Sequence, residues 1–297
     1  MNTKPYKDFG DFLQTQFPFK VQKIAINAGF TCPNRDGAKG WGGCTYCNNQ
    51  TFSPQYAVRG KSVARQMEEG IRFFSRKYPQ MKYIAYFQSY TNTYDSAEKL
   101  LKKYDEALNH PQVVGLIIGT RPDCLPDELL GELANLAKRY FLLIEYGIES
   151  TSNETLQRIN RGHTYEEAVE TINRTHRRGV RCGAHIILGL PGESREMILS
   201  HAEKISQLPL TTVKLHQLQL IRNTKMAQQY LEHPEQFHLY SVEEYIDLCI
   251  AFLQRLNPDF FIDRFVSQSP KDLLLMPGWG LKNYEFTEKL NKRMQMH

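Results

Sequence analysis

Three cysteines lie close together near the N-terminus, and their spacing suits metal chemistry. Cys32, Cys44 and Cys47 fall in the stretch TCPNRDGAKGWGGCTYC, with eleven residues between the first two and two between the last two. The CTYC turn brings two sulfurs together, and the glycines let the loop fold tightly and turn backbone N–H groups toward the sulfurs. A structural zinc usually has four protein ligands, so this loop lacks one ligand of such a site.

Two kinds of metal centre fit three clustered thiolates. The first is a zinc knuckle with Cys124 or a histidine as its fourth ligand, although the loop offers no second CxxC and no HxxxH pair. The second is a [4Fe-4S] cluster held by three cysteines, whose fourth iron is open to a ligand from outside the protein. Cys124, Cys182 and Cys249 lie singly in apolar surroundings, and we interpret them as buried apolar side chains.

The elements that position this loop alternate regularly along the chain. Strands are predicted over 21–28, 83–88, 113–120, 141–149, 180–190, 212–221 and 260–266, and helices over 63–78, 95–108, 127–140, 164–179, 194–208 and 241–256. Apolar strands that alternate with helices indicate an α/β fold with a parallel sheet, and an open or partial β/α barrel fits best. Chemistry in such sheets takes place at the carboxyl ends of the strands, where Cys32 follows the first strand.

The composition is that of a globular protein. The chain has 297 residues, of which 41% are hydrophobic and 23% are charged, which suffices for one large domain. No apolar run approaches about 18 residues, so we expect no membrane segment. The N-terminus is polar and lacks the apolar region of a signal peptide, so we expect a cytoplasmic protein with reduced thiols. The net charge of +5 permits an anionic partner without requiring one.

The cysteine loop, with the aromatic Tyr46 just before its last cysteine, resembles that of the radical S-adenosylmethionine (SAM) superfamily. The eleven-residue spacing matches the YhcC-type branch, which is similar to the radical SAM part of the Elp3 family. Further segments match in the same order, namely FQSYTNTY (87–94), TRPD (120–123), YGIES (146–150), RINRGHT (158–164), HIILGLPGE (185–193) and LHQLQLI (215–221). The resemblance implies a partial (β/α)6 radical SAM barrel over 21–266, an N-terminal extension over 1–20 and a C-terminal extension over 267–297 that packs on the barrel.

The resemblance also implies the cofactors and the reaction. In this superfamily, the methionine amino and carboxylate groups of SAM bind the fourth iron of a [4Fe-4S] cluster, which explains the ligand missing from the loop. An electron from a donor such as flavodoxin or ferredoxin then cleaves SAM to methionine and a 5′-deoxyadenosyl radical. This radical removes a hydrogen atom from the substrate, while the protein supplies orientation and excludes water.

The matching segments imply the residues that bind the cofactor. Residues after the second strand would bind the methionine amino group, Glu149 and Ser150 the ribose or methionine, Arg161 the carboxylate, His185 the ribose and Ile187 the adenine. The full predicted set is Tyr46, Ser89, Tyr90, Thr91, Asn92, Glu149, Ser150, Arg161, His185 and Ile187. Each of these residues also fits an ordinary turn or core position. The catalytic residues are unassigned, with His216, Gln217 and Gln219 of the sixth strand as candidates in the barrel lumen.

The substrate is indicated only by charge and by the resemblance. A basic stretch comprises Arg158, Arg161, Arg174, His176, Arg177, Arg178 and Arg181, and 16 tyrosines and 16 phenylalanines could stack on bases. A solvated helix face explains the same arginines equally well. Elp3 relatives modify the wobble uridine of tRNA, so the resemblance implies tRNA as partner and remodelling of a C5 substituent as the reaction. The alternatives are a radical SAM enzyme for a small metabolite, similar to the oxygen-independent coproporphyrinogen enzymes, and a non-catalytic zinc protein that binds RNA.

Substitution of the cysteines is expected to distinguish the two metal centres. Cys32→Ala, Cys44→Ala and Cys47→Ala should each abolish assembly of about four iron and four sulfide per chain, measured after anaerobic reconstitution. Cys124→Ala, Cys182→Ala and Cys249→Ala should keep the cluster and lose only about 1–2 kcal/mol of stability. Stoichiometric zinc without sulfide, or a requirement for Cys124, would instead favour the zinc site.

Overall fold

A parallel sheet forms the centre of the protein in this computed structural model, which describes residues 4–48, 51, 54–75 and 80–296. The strands are β1 Val21–Ile26, β2 Lys82–Phe87, β3 Val113–Thr120, β4 Phe141–Glu149, β5 Arg181–Leu188, β6 Thr212–Gln217, β7 Leu220–Ile221, β8 Phe261–Arg264 and β9 Leu274–Met276. Seven of them pair in the order β1-β2-β3-β4-β5-β6-β8, and every pair is parallel. The predicted parallel sheet is therefore confirmed.

Helices connect the strands of this sheet and pack around it. They are α1 Phe9–Gln16, α2 Val63–Ser75, α3 Ala97–Leu108, α4 Asp127–Ala137, α5 Asn153–Arg158, α6 Tyr165–Arg177, α7 Arg195–Ile205, α8 Lys225–Glu232, α9 Val242–Arg255 and α10 Asn283–Gln295. Helices α2, α3, α4, α6, α7 and α9 each connect two neighbouring strands, which confirms the six β/α units of a partial barrel. The last residues of the helix predicted over 63–78, from 76 onward, lie outside the described residues.

The ends of the sheet curl toward each other. Strands β1 and β8 are the two edges of the sheet, yet Lys23 Nζ of β1 lies 2.6 Å from Asp263 Oδ1 of β8. Side chains of alternate parity therefore point either to the surrounding helices or into a half-open lumen. All nine residues of β4 are buried, as expected for a strand that lies between two packed layers.

Helix α1 closes the amino-terminal end of this lumen. Its Phe9, Phe12 and Leu13 form one apolar cluster with lumen-facing residues of β2, β3 and β4. The ring of Phe12 lies 4.8 Å from that of Phe261 and 6.0 Å from that of Phe141, measured between centroids. The segment that the sequence marks only as an N-terminal extension is thus part of the barrel core.

One predicted strand is interrupted. The sequence predicts a single strand over 212–221, but β6 ends at Gln217, which is paired with the last residue of β5, Leu188. Beyond that point no parallel neighbour continues, so β7 turns away and pairs antiparallel with β9. Of the residues described, none belongs to a helix long and apolar enough to cross a membrane.

The C-terminal residues pack on the outside of the barrel. Helix α10 contacts α9 and buries Phe286 and Leu290. The ring of Trp279 stacks on that of Phe286, with centroids 5.9 Å apart. These contacts fix α10 against α9.

Removal of one aromatic ring from α1 tests this packing. Phe12→Ala is expected to lower the free energy of unfolding by about 3–5 kcal/mol, because the ring is 5% exposed and its loss leaves a cavity. Phe73 is 65% exposed, and Phe73→Ala should change stability by no more than about 0.5 kcal/mol. Equal losses for the two variants in urea denaturation would contradict the role of α1 as a core element.

Candidate active site

The loop after β1 brings the clustered cysteines to one cleft at the carboxyl ends of the strands. Cys32, Cys44 and Cys47 line this cleft together with residues that end or follow β2 to β6. None of the three is in a disulfide bond. The cleft contains about 1150 Å³ of space between atoms, part of it open to solvent. The cysteines therefore lie at the edge of the sheet where the sequence places them.

A short segment after α5 holds the cysteine loop in place. Asn34 donates its side-chain amide to the carbonyl oxygens of Asn160 at 2.7 Å and of Arg161 at 2.9 Å. In return, the side-chain amide of Asn160 donates to the carbonyl oxygen of Gly43 at 2.9 Å. Asn160 has a φ of +52°, a left-handed conformation that asparagine tolerates better than most residues. These reciprocal bonds fix a loop that has no helix or strand of its own.

The guanidinium of Arg161 lies between a cysteine and a carboxylate. Its Nη1 lies 3.5 Å from Cys44 Sγ, and its Nη2 lies 3.4 Å from Glu149 Oε1. Nη2 also donates to the carbonyl oxygen of Gly147 at 2.6 Å. The side chain of Arg161 is buried but lines the cleft. A fixed positive charge therefore lies at the boundary between the sulfurs and the polar groups at the end of β4.

His163 supports this arginine as a neutral acceptor. Arg161 donates from Nε to His163 Nε2 at 3.0 Å, and arginine has no acceptor. The ring proton is therefore on Nδ1, which lies 3.0 Å from the carbonyl oxygen of Thr164. Burial and the charge of Arg161 lower the pKa of His163 to about 3, so the ring stays neutral at physiological pH.

A second arginine lies beside the last cysteine. Arg35 donates from Nη2 to the carbonyl oxygen of Cys47 at 2.8 Å. Burial and the neighbouring Cys44 raise the pKa of the Cys47 thiol to about 11, and Arg35 opposes this rise. A thiolate at this position needs more positive charge than one arginine provides, and the iron of a bound cluster would supply it. Three thiols with two flanking arginines therefore fit a [4Fe-4S] cluster.

The zinc alternative lacks support from the other cysteine near the loop. Cys124 is buried, does not line the cleft, and has its Sγ 3.7 Å from Asp123 Oδ1. Cys124 is therefore not placed as a fourth ligand beside the three clustered cysteines.

Two residues of the cleft have unusual backbone conformations. Tyr90 has a φ of +65° and Glu149 a φ of +70°, and both line the cleft. The pairing of β4 with β5 shifts between Gly147 and Glu149, which is the geometry of a β-bulge. Such conformations are uncommon for residues other than glycine and occur often at functional sites. The bulge directs the Glu149 carboxylate toward Arg161 rather than along the regular strand.

Most of the predicted site residues meet at this cleft. Those that line it are Tyr46, Tyr90, Thr91, Glu149, Arg161, His185 and Ile187, together with the lumen candidates His216, Gln217 and Gln219. The amide of Gln217 is bonded to the backbone of Ser267, with Nε2 donating to O at 2.9 Å and Oε1 accepting from N at 2.7 Å. Gln217 therefore fixes the chain after β8, which leaves His216 and Gln219 as the candidates with atoms available to a ligand.

Three predicted residues lie behind the cleft rather than on its surface. Asn92 donates its amide to the carbonyl oxygens of Phe87 at 3.1 Å and Gly119 at 2.8 Å and so connects the ends of β2 and β3. Ser150 is fully buried and donates to Glu193 Oε1 at 2.5 Å. Ser89 is also buried. Neither these contacts nor this burial tests SAM binding, so the assignments of all site residues remain predictions.

Sequence reasoning missed a network of buried charges at the floor of the cleft. Glu145 Oε2 lies 2.7 Å from Lys214 Nζ and 2.9 Å from His185 Nε2, and Lys214 Nζ lies 2.9 Å from Asp263 Oδ2. Burial opposes ionisation of Glu145, but Lys214 and His185 outweigh it and hold the pKa of the carboxyl well below its usual range. The sequence carried one signal of this network. Glu145 is a carboxylate within the otherwise apolar strand FLLIEYGIE, at the same parity as Glu149.

Only part of the predicted basic stretch lies near the cleft. Helix α6 runs back toward the amino-terminal edge of the sheet and carries its last arginines away from the cysteines. Arg181, the first residue of β5, bonds to Gln16 of α1 at 2.9 Å and lies over the ring of Phe141. Arg161 lines the cleft itself, and Arg158 donates to the carbonyl oxygen of Pro191 at 2.9 Å. The basic surface near the cleft is therefore smaller than the closeness of these arginines in the sequence suggests.

Two glycines offer a matched test of the contact between loop and segment. Gly162 has a φ of +75°, and an added Cβ would lie 2.5 Å from Asn34 Oδ1, whereas Gly179 has a φ of +76° and nothing within 4 Å. Both alanine variants should lose about 1–2 kcal/mol of stability from the backbone conformation. Only Gly162→Ala should also lose iron and sulfide after reconstitution, because it displaces Asn34. Equal cluster contents would contradict the proposed role of Asn34.

Comparisons with known proteins give matches over nearly the whole chain. The family model for the radical SAM superfamily matches residues 28–205, and that for the Radical_SAM C-terminal domain matches 210–296. The chain is 34% identical to Bacillus subtilis YtqA, over 98% of this chain and 90% of YtqA. It is 31% identical to Escherichia coli YhcC, over 97% of this chain and 92% of YhcC. A more distant relative, 23% identical over 66% of this chain and 35% of its own, is the tRNA uridine(34) acetyltransferase of Methanocaldococcus jannaschii.

The fold has a counterpart among solved structures. An archaeal Elp3 from Methanocaldococcus infernus superposes with a TM-score of 0.70 at 18% identity, and the match covers 94% of this chain and 63% of the Elp3 chain. Structures of the radical SAM family bind a [4Fe-4S] cluster and S-adenosylmethionine, the two cofactors expected from the sequence. The three clustered cysteines, the half-barrel and the matches over nearly the whole chain lead to one conclusion: this chain belongs to the radical SAM superfamily, in the group that contains YhcC and YtqA.

Proposed function

We propose that this protein is a radical SAM enzyme that acts in the cytoplasm on tRNA and remodels a side chain on the wobble uridine. The observation that carries the enzymatic part is the common cleft of Cys32, Cys44 and Cys47 with Arg161 and Glu149. A [4Fe-4S] cluster bound there would supply the electron that cleaves SAM, with flavodoxin or ferredoxin as the electron source. The half-open lumen below the cysteines leaves room for a substrate group beside the cofactor.

The residues of the cleft can hold SAM in a defined orientation. Arg161 offers a planar cation beside Cys44, which suits the methionine carboxylate. Hydroxyl and carbonyl groups after β2, around Thr91, suit the methionine ammonium. Glu149 can accept bonds from ribose hydroxyls, and Ile187 with its apolar neighbours can cover the adenine ring. The bulge at Glu149 turns its carboxylate toward Arg161, which supports a shared role of the two groups in binding one ligand.

Three observations support tRNA as the substrate. The Methanocaldococcus jannaschii relative is a tRNA uridine(34) acetyltransferase, so a related chain acts at the wobble position. The sequence has a net charge of +5, which favours association with a polyanion. Trp41, in the cysteine loop, is 77% exposed and offers a ring on which a base could stack.

A deletion strain tests this proposal most directly. Nucleosides from purified tRNA, compared by mass spectrometry, should show loss of one modified uridine and accumulation of its precursor. The wild-type gene should restore the modified nucleoside, whereas the gene for Cys44→Ala should not. Unchanged tRNA nucleosides with an altered small metabolite would favour the metabolite enzyme instead.

Substitution of Arg161 tests the orientation of SAM. Arg161→Lys should keep the cluster but weaken SAM binding by about 1–3 kcal/mol, because a single ammonium replaces the planar guanidinium. Calorimetric titration and a 5′-deoxyadenosine assay on cluster-loaded protein measure the effect. Arg158→Lys, three residues earlier, is the matched control and should bind SAM normally. Loss of tRNA binding with unchanged SAM affinity would assign Arg161 to the RNA surface.

A further inference from the structure

Two histidines line the floor of the cleft, and each has one ring nitrogen engaged by a charged neighbour. His185 lies on β5 and His216 on β6, with ring centroids 5.5 Å apart. Both line the cleft. For each ring, Nδ1 has no hydrogen-bond partner among the residues that the structure describes. Whether Nε2 carries the ring proton therefore decides whether Nδ1 accepts a hydrogen bond from a ligand or donates one to it.

The neighbours of His185 place its proton on Nε2. Nε2 lies 2.9 Å from Glu145 Oε2, which also accepts from Lys214 Nζ at 2.7 Å. An ionised carboxylate only accepts hydrogen bonds, so His185 Nε2 must donate. The Nδ1 of a neutral His185 is then an acceptor.

The neighbour of His216 has the opposite effect. Arg264 Nη2 lies 3.1 Å from His216 Nε2, and a guanidinium only donates. His216 Nε2 must therefore accept, and the proton of the neutral ring is on Nδ1. The Nδ1 of His216 is then a donor.

We infer that Glu145 and Arg264 are positioning residues that fix opposite tautomers of His185 and His216, so that the cleft floor presents one acceptor and one donor. The ligand that fits carries a hydroxyl or N–H donor toward His185 and a carbonyl or hydroxyl acceptor toward His216. Neighbouring hydroxyls of the SAM ribose and the imide edge of uracil both have this chemistry. The assignment to RNA rests on the proposed function, whereas the assignment of tautomers does not.

Electrostatics keep both rings neutral, as this arrangement requires. Burial and then the charge of Lys214 lower the pKa of His185, with Glu145 opposing them. Burial and then Arg264, His185 and Lys214 lower the pKa of His216 well below its ordinary value. Neither ring is therefore expected to become a double donor near neutral pH.

Nitrogen NMR tests the tautomers directly. Protein labelled with ¹⁵N-histidine and loaded anaerobically with the oxidised cluster should show a proton on Nε2 of His185 and on Nδ1 of His216. His185→Gln and His216→Gln assign the two signals. The same tautomer for both rings, or a charged ring at pH 7, would overturn the inference without any bearing on the substrate.

Substitution of each positioning residue tests its effect on the tautomers. In Glu145→Met, His185 Nε2 loses its acceptor and the proton should no longer be fixed there. In Glu145→Gln, the carbonyl oxygen in place of Oε2 can still accept from both Lys214 and His185, so the proton should stay on Nε2. Arg264→Met should release His216 Nε2, and Arg264→Lys should keep it as an acceptor. Lys23→Met removes a charge from the same buried network without contacting either ring and should leave both tautomers unchanged.

Binding separates the two sources of ligand. The probes are SAM and an anticodon stem–loop RNA with uridine at the wobble position, each titrated into wild type and Glu145→Met, with Glu145→Gln as the conservative control. A tenfold or greater loss for SAM assigns the His185 acceptor to the ribose, and the same loss for RNA assigns it to the base. A shifted His185 proton with both affinities unchanged would overturn the role of these histidines in ligand recognition. Failure of the RNA to bind wild type would count against the proposed substrate but not against the tautomers.

Discussion

The contact between the cysteine loop and the segment after α5 is the constraint on which the rest of the site depends. The loop has no regular structure, so individual hydrogen bonds to other segments hold its three sulfurs in place. Asn34 and Asn160 exchange bonds with the opposite backbone at 2.7–2.9 Å, across 117–127 residues of chain. Burial makes such bonds expensive to leave unpaired, which favours one loop conformation over many. The same segment carries Arg161, so the positions of the sulfurs and of this cation are set together.

The interior of the half-barrel shows a second consequence of burial. A parallel sheet of seven strands could close further or stay flat. Here its two edges are joined through the lumen by ion pairs between Lys23, Asp263, Lys214 and Glu145. Buried ion pairs contribute little net stability, but they disfavour arrangements in which one partner lacks the other. Apolar residues of α1 close the lumen below this network, and the cysteines lie above it. The charged network thus separates a structural core from a reactive cleft.

Much of the fold was predictable because its pattern is local. Near-continuous apolar strands and amphipathic helices alternate along the chain, and right-handed crossovers then order the sheet. Six β/α units and the position of Cys32 at the end of β1 follow from this pattern. The predictions failed where a long-range contact overrides local pattern. The strand expected over 212–221 ends at Gln217 because β5 offers no further partner, and the final arginines of α6 lie at the opposite edge from the cysteines.

The sequence by itself determined the family, the three cysteines and most of the residues that line the cleft, because these depend on residue types at fixed spacings. The tertiary structure decided which atoms those residues present. Asn92 and Ser150 follow the correct strands but bond to the backbone and to Glu193. His185 and His216 owe their hydrogen-bonding character to Glu145 and Arg264, which are distant in sequence. Spacing along a strand specifies which face a side chain takes, whereas protonation and orientation depend on charges that only folding brings together.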